Sequence, residues 1–401
     1  MESLKLGFST FLVLFFSLFL SANNAFSDTS DERAVTQEPP GVGILPSDID
    51  LIESSLWQGS NGFEFSGGVT SLLQSTSGVS TSDTKDQTDF SYTVDLELIY
   101  NHDERYYVVI AMEAGEGNGI NDNFPSDIEP NYDPYHSSAK GSQDVIISQV
   151  YIEGLFLDKS FVINIGKMDV HALYDNNALV SDETTNFISG AFVRAVGTVG
   201  RELDKYYSPA VRLLYSPVTW LEAQAIYSHS GVDDLANNPF MVFQLAVKPG
   251  FGDLEGNYRA YVTYDARNYE DESGAYKGDV LYGFNFDQYV TDHIGIFFRY
   301  ATHDNSLLAN RVVSMLSGGV TFSAGLWGRA DDLLGIGYAQ LKANDRLKPP
   351  FDEGQTVWEI YYNARINSLL SITPDLQFHK NLPREEKRSV VIYGLRVQAD
   401  F

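Results

Sequence analysis

The chain has 401 residues, including 24 Tyr, 25 Phe and 33 Gly but no Cys, and its formal net charge is −27. This acidity argues against a nucleic-acid-binding protein and against a general binder of anionic surfaces, because either would need a basic patch. Mean hydropathy is only −0.17, and the body of the chain has no continuous apolar run that could form a spanning helix, which excludes a helical membrane protein. The length fits two or three soluble domains or one large closed barrel.

The first residues have the features of a secretory signal peptide. An apolar run from Leu6 to Leu20 follows Lys5, and a small-x-small cleavage pattern ends at Ser27. A stop-transfer anchor is the alternative, although the run is short for a span. We predict that residues 1–27 are a signal peptide and that residues 28–60 form a periplasmic lead.

From residue 61 onward, apolar and polar side chains alternate with a period of two. In the segment 88–100, one row includes Phe90 and Leu96 and the other includes Asp95 and Glu97. A half-buried strand of a soluble sandwich shows the same alternation, but repeated carboxylates on the second row require water on that side. Sixteen segments are predicted as strands: 61–73, 88–100, 105–115, 144–156, 159–168, 207–216, 219–229, 240–249, 255–265, 276–289, 292–303, 311–326, 331–343, 355–367, 369–380 and 388–401.

These strands predict an all-β fold, a transmembrane antiparallel β-barrel of about 16 strands over residues 61–401. One row of each strand would face lipid and the other an aqueous lumen. Short turns alternate with longer polar links, and we place the short turns and both chain termini in the periplasm. Aromatic residues beside the short turns predict a girdle at headgroup depth, with stacking platforms for sugars as the alternative. These residues are Tyr100, Tyr106, Phe156, Phe161, Trp220, Phe251, Tyr289 and Trp327.

The long link 169–206 differs from the others, because it places mixed charge around the apolar stretch 187–199. A link of this length in a barrel usually has a function, and we expect it to fold inward and narrow the lumen. The alternative is a further strand over 189–199, which would change the strand count. No role is predicted for the other long loop, 117–141.

Charged side chains on the predicted water-facing rows are candidates for contact with a solute. Guanidinium groups can donate paired hydrogen bonds to vicinal hydroxyls, although ion pairs that only order the wall are the alternative for any single Arg. The wall candidates are Arg212, Arg259, Asp287, Arg299, Glu359, Arg365, Asp375 and Arg396. The sequence has no phosphate-binding glycine loop, no metal-spaced His pair and no G-x-S-x-G, so we expect no cofactor, no metal and no enzymatic activity.

Three blocks of sequence resemble the carbohydrate-selective porin family, OprB-like. They are Gly166-Lys167-Met168-Asp169 with Asp175-Asn176-Asn177, the stretch 280–340, and Glu359-Ile360-Tyr361-Tyr362 followed by Ile372-Thr373-Pro374-Asp375-Leu376-Gln377. The resemblance implies a 16-stranded outer-membrane channel for sugars that is narrowed by inward loops. It adds Lys167, Asp169, Asp175, Asn177 and Gln377 to the pore-lining candidates.

The predicted function is passive diffusion of carbohydrates and other small hydrophilic solutes across the outer membrane of a Gram-negative cell. A receptor for a larger ligand, such as a metal chelate, is the alternative, and an outer-membrane hydrolase ranks third. The expected partners are outer-membrane lipid, small sugars, and the barrel-assembly machinery through the last strand, which ends at Phe401. A homo-oligomer is compatible with the sequence.

Overall fold

The computed structural model describes residues 57–58, 62–79, 85–124, 126, 128–132, 145–194, 207–229, 237–250, 254–323, 325, 328–329, 331–347, 354–382 and 389–401. The predicted signal peptide, nearly all of the 28–60 lead, and Phe251 and Trp327 of the predicted girdle lie outside these residues. Within the described residues, no helix is both long enough and apolar enough to cross a membrane.

Sixteen long strands follow a two-residue strand, β1 (Trp57–Gln58). Their bounds are β2 (Phe63–Ser77), β3 (Thr88–His102), β4 (Tyr106–Glu116), β5 (Ile146–Phe156), β6 (Phe161–Asp169), β7 (Tyr207–Val218), β8 (Leu221–Ser228), β9 (Phe240–Val247), β10 (Gly256–Glu270), β11 (Tyr276–Thr291), β12 (Ile294–His303), β13 (Val312–Ser323), β14 (Leu333–Ala343), β15 (Thr356–Asn367), β16 (Leu370–Lys380) and β17 (Ser389–Asp400). Each predicted strand corresponds to one of the sixteen long strands.

The sheet closes on itself. Each long strand pairs antiparallel with the next one along the chain, and β17 pairs with β2. At one end of this seam the Phe401 amide donates to the Gly67 carbonyl at 2.9 Å, and the Gly67 amide donates back at 2.8 Å. Beyond it, β1 pairs with Phe65 and Glu64 of β2. The predicted antiparallel barrel of about 16 strands is therefore confirmed.

The two rows of each strand have opposite chemistry. In β15, the outward side chains of Trp358 and Ile360 are 46% and 39% exposed, whereas the inward side chains of Glu359 and Tyr361 are 0% and 1% exposed. Apolar side chains thus lie outside and polar side chains inside, which is opposite to the arrangement in a soluble protein. This arrangement is expected of a barrel wall in contact with lipid.

Two details of the sequence interpretation differ from the structure. The alternative strand over 189–199 is wrong for its described part, because Gly190–Val193 is a single helical turn, capped by the Ser189 hydroxyl, which accepts from the Ala191 amide. The sequence places Tyr289 in the aromatic girdle beside the short turns, but its side chain packs against the apolar cluster inside the barrel. The girdle residues Tyr106 and Phe156 form an edge-on ring pair with centroids 6.2 Å apart.

Candidate functional site

The link after β6 folds into the barrel. We call its described part, 170–194, the inner loop. The side chains of Val170, Val180, Phe187 and Phe192 in this loop are fully buried. They belong to one apolar cluster with inward-facing side chains of the wall from β7 to β15. The inward fold predicted from the length and composition of this link is therefore present.

Glycines of the wall make room for the inner loop. A Cβ added to Gly337 would lie 2.5 Å from a ring carbon of Phe192, and one added to Gly295 would lie 2.6 Å from a methyl carbon of Leu179. Both distances are shorter than any ordinary carbon contact, so a larger residue would displace the loop side chains. These two glycines therefore shape the surface that receives the loop.

A polar network fastens the first half of the inner loop to β11 and β12. The Arg299 guanidinium donates to the Asp175 carbonyl at 3.0 Å and to the Ser181 hydroxyl. The Asn285 amide donates to the Asp175 carboxylate at 2.9 Å and accepts from the Asn177 amide at 2.8 Å. Because all these groups are buried, they fix the loop backbone in one position.

A second network fastens the other half of the inner loop to β15 and β17. The Glu359 carboxylate accepts from the amides of Ile188 and Ser189, at 2.6 and 3.1 Å. The Arg396 guanidinium donates to the carbonyls of Asn186, at 3.0 Å, and Glu183. The loop is thus held at both ends by side chains of the wall.

A second inward segment, described over residues 117–124, 126 and 128–132, was not predicted from the sequence. It begins with a 3-10 turn at Gly119–Asn123, and the Pro130 carbonyl accepts from the side-chain amides of Gln74 and Gln377, each at 2.9 Å. The Tyr132 amide donates to the Ile188 carbonyl of the inner loop at 2.9 Å. Ile120, Phe124 and Ile128 of this segment are buried. These three apolar residues are the signal in the sequence from which its inward position could have been predicted.

Most of the predicted pore-lining residues lie between the wall and the inward segments. These buried candidates are Asp175, Asn177, Arg212, Asp287, Arg299, Glu359, Asp375, Gln377 and Arg396. The structure brings them together as anchors; Arg212, for example, donates to Gln224 at 2.8 Å, and Gln224 donates to the Leu173 carbonyl at 2.8 Å. They therefore affect the lumen mainly by holding the inner loop in position.

The other four candidates are partly exposed. Arg259 forms an ion pair with Asp287 at 2.7 Å, and Arg365 lies 3.7 Å from the Asp400 carboxylate. Asp169 at the end of β6 accepts from the amides of His171 and Ala172, at 3.0 and 3.2 Å, and thereby starts the inner loop. Lys167 donates to the Ile147 carbonyl, and its ammonium lies 5.9 Å from the ring centre of Tyr207. These residues do not form one cluster.

The inner wall that the inner loop leaves uncovered is acidic. On β2 and β3, Asp95 is exposed and Glu64 and Glu97 are half-buried. Within the described part of the chain none of these three carboxylates has an ion-pair partner. Asp95 is in register with Glu113 on β4. Sequence reasoning placed Asp95 and Glu97 on a water-facing row but did not select them as site residues.

The inner loop contributes one more carboxylate to this opening. Burial against the barrel interior raises the pKa of Glu183 to about 7; nearby Arg194 acts in the opposite direction, and Asp182 adds to the rise. Glu183 also lies within electrostatic range of Asp95 across the gap. A small cavity beside them is lined by Thr70, Leu72, Ser91, Tyr92, Asn131, Glu183, Ile188 and Arg396.

A closed sixteen-stranded barrel with loops folded inside has the architecture of a porin. The description of the family that matches residues 80–401 is carbohydrate-selective porin, OprB family. The chain therefore belongs to the OprB family of carbohydrate-selective porins, and it is an outer-membrane porin for the diffusion of sugars. A search of curated protein sequences finds no significant match.

Solved structures show the same fold. The high-pH structure of Pseudomonas putida OprB superposes with a TM-score of 0.72 at 16% identity, over 89% of this chain and 96% of that chain. The outer membrane channel DcaP of Acinetobacter baumannii gives 0.56 at 14% identity, over 86% and 99%. A loop L8 deletion mutant of OmpT, an outer membrane protein of Vibrio cholerae, gives 0.52 at 14% identity, over 84% and 99%. The family and the fold are those of channels, and they do not favour the alternative of a metal-chelate receptor.

Proposed function

We propose that sugars cross this porin through the gap between the inner loop and the wall formed by β2, β3 and β4. The observation that carries the proposal is the one-sided attachment of the loop. The loop is packed and hydrogen-bonded to the wall from β7 to β17. Across the gap, Asp95 is exposed and Glu64 and Glu97 are partly exposed. Carboxylates at such a gap can accept hydrogen bonds from sugar hydroxyls.

In this proposal eleven of the thirteen predicted site residues act in two ways. The buried ones, such as Arg299, Glu359 and Arg396, set the width of the gap by holding the loop. Arg259 and Arg365 keep partial exposure and are proposed to contact solute directly. Transport is passive, with no cofactor and no chemical step.

The proposal extends to the parts of the chain around the barrel. It retains cleavage of a signal peptide over 1–27, a periplasmic lead over 28–60, and short turns and termini on the periplasmic side. Recognition of the last strand by the barrel-assembly machinery is supported by the position of Phe401 at the closing seam. A homo-oligomeric state is also proposed.

Swelling of liposomes that contain the purified protein tests the sugar route. We expect swelling in mono- and disaccharides to be faster than in amino acids of matched size. Equal rates would remove the sugar preference, and swelling no faster than in protein-free liposomes would remove the open pore. Substituting both Asp95 and Glu97 by Ala should change the sugar rates more than the amino-acid rates if solutes pass along this wall.

A further inference from the structure

Two lysines stand at the edge of the outer surface, where the long links begin. Lys342 lies near the end of β14 and Lys380 at the end of β16, and both side chains are exposed on outward rows. Thr356 of β15, between them, is in register with Gln340 and with Lys380. Lys342 is therefore two residues nearer the edge than Lys380.

Neither lysine is neutralised by a side chain among the described residues. Within the described residues, Lys342 and Lys380 have no hydrogen-bonding or acidic partner. By contrast, Lys277 pairs with Asp304 at 2.7 Å and Lys248 pairs with Glu222 at 3.0 Å. The described outward rows of β13 to β17 contain no Asp or Glu. The described residues of these strands thus form a local cationic surface on a chain whose net charge is −27.

The spacing allows both ammonium groups to reach a single headgroup. Adjacent strands lie about 4.8 Å apart, so β14 and β16 are separated by roughly 10 Å. Because the four-carbon side chains of Lys342 and Lys380 are flexible, they can bring the two ammonium groups closer together than the strands themselves. A ligand with one or two phosphate groups fits between them.

The aromatic residues below the lysines mark the depth of this surface in the membrane. Trp358 is 46% exposed, and its ring centre lies 4.8 Å from that of Tyr338. Phe378 is in register with Trp358 on the other side. Exposed Trp and Tyr prefer the interface between headgroups and acyl chains. Lys380 and Lys342 are two and four residues nearer the edge than these rings, so their ammonium groups lie at the depth of the lipid phosphates.

We propose that Lys342 and Lys380 bind the phosphate groups of a glycolipid in the outer leaflet, with its acyl chains over Trp358 and Phe378. The proposal rests on the orientation in which the long links face outward, and it is independent of the route that sugars take through the lumen. The binding surface belongs to the outside of the barrel, so it fixes the protein relative to its lipid shell.

Native mass spectrometry of the purified full chain in detergent tests the proposal, with diphosphorylated lipid A as the probe. We expect K342Q/K380Q to lower the affinity by about tenfold or more. The control is K85Q/K159Q, which removes the exposed Lys85 and the partly exposed Lys159 elsewhere and should bind as the unaltered chain does. The single variants K342Q and K380Q should each lose part of the affinity, which covers the case in which the double variant does not fold.

Two further lipids test whether the site recognises phosphate groups and whether it prefers a glycolipid. Lipid A without its phosphates should bind K342Q/K380Q and the unaltered chain equally, because the lysines have no anion to bind. Equal affinity of the unaltered chain for phosphatidylglycerol and diphosphorylated lipid A would overturn the assignment to a glycolipid. An affinity of K342Q/K380Q for diphosphorylated lipid A equal to that of K85Q/K159Q would overturn the site itself.

Discussion

Glu359 illustrates how one inward side chain of the wall can control the width of the channel. Its carboxylate is fully buried and accepts from two consecutive amides of the inner loop, those of Ile188 and Ser189. A single acceptor thereby satisfies two donors that have no other acceptor among the described contacts. The charge of Glu359 matters less to this role than its two oxygens.

Replacement of Glu359 by Ala should loosen the inner loop. We expect a cost of about 1–3 kcal/mol for each amide left without an acceptor, and a larger, noisier conductance as the loop leaves its position. Single-channel recording in planar bilayers measures this change. Glu270→Ala, at an exposed position at the end of β10, is the control and should conduct as the unaltered protein does. Unchanged conductance of Glu359→Ala would show that this anchor does not set the gap.

Glu183 makes ion selectivity depend on pH. Its pKa is raised to about 7, chiefly by burial, so the side chain is charged above this pH and gains a proton as the pH falls through it. Loss of this negative charge should reduce cation preference between pH 8.5 and 5.5, as measured by reversal potentials in a salt gradient. Glu183→Gln should flatten the change.

Asp304→Asn is the control for this pH effect. Partial burial opposes ionisation of Asp304, but hydrogen bonds from Lys277 and Ser306 outweigh it and lower the pKa to about 2. Asp304 is therefore charged across the whole range tested, and its removal should leave the pH dependence in place. An equal flattening by both substitutions would indicate that surface charge in general, and not Glu183, controls the effect.

At the scale of elements, the inner loop and the wall that receives it are complementary in shape. Phe187 and Phe192 are fully buried, with ring centres 4.6 Å apart, and they lie against Gly337 of β14. Glycine in the interior of a strand weakens the strand itself, but here it allows close approach of aromatic rings. The loop is therefore seated by packing as well as by hydrogen bonds.

Gly337→Val should displace the inner loop because its new methyl groups would overlap Phe192 and Phe187. Such overpacking costs about 1–3 kcal/mol and should raise the conductance without opening the barrel. Combining Gly337→Val with Phe192→Ala removes part of the overlap and should restore part of the original conductance. Additive effects of the two substitutions would contradict direct contact. Heat-dependent mobility in detergent gels reports whether the barrel itself remains closed.

At the scale of the whole molecule, charge is distributed unevenly around the lumen. Arg299 and Arg396 lie on the walls that carry the inner loop, whereas Asp95 and Glu97 lie on the wall that the loop leaves open. Because the arginines are buried in contacts with the loop, the acidic wall should dominate the field that a passing ion experiences. The pore should prefer cations.

Asp95→Asn/Glu97→Gln should reduce or abolish this cation preference, measured as a reversal potential at a constant pH of about 8.5, the upper end of the range used for Glu183. Asp158→Asn/Glu270→Gln removes the same charge from exposed positions outside the lumen and serves as the matched control. Anion preference in the unaltered protein would mean that the arginines control the narrowest point and would contradict the assigned route.

The strands could be predicted residue by residue because each must present one face to lipid and the other to water. That requirement imposes a local period of two, visible in rows such as Trp358 and Ile360 against Glu359 and Tyr361. It determined the number of strands and nearly all of their bounds to within two residues, and it placed charged residues such as Glu359 and Arg396 on the inward row. The inward fold of the link after β6 was also predictable, from its length and apolar content.

Only the tertiary structure decided what the inward charges do. Arg299 donates a hydrogen bond to Asp175, which is 124 residues away in the sequence, and Glu359 accepts one from Ile188, which is 171 residues away. Such pairs arise from closure of the barrel and from the path of the loop inside it, and neither leaves a periodic signal in the sequence. For the same reason the sequence did not indicate the position of the second inward segment or the acidic wall opposite the inner loop; only the folded structure shows them.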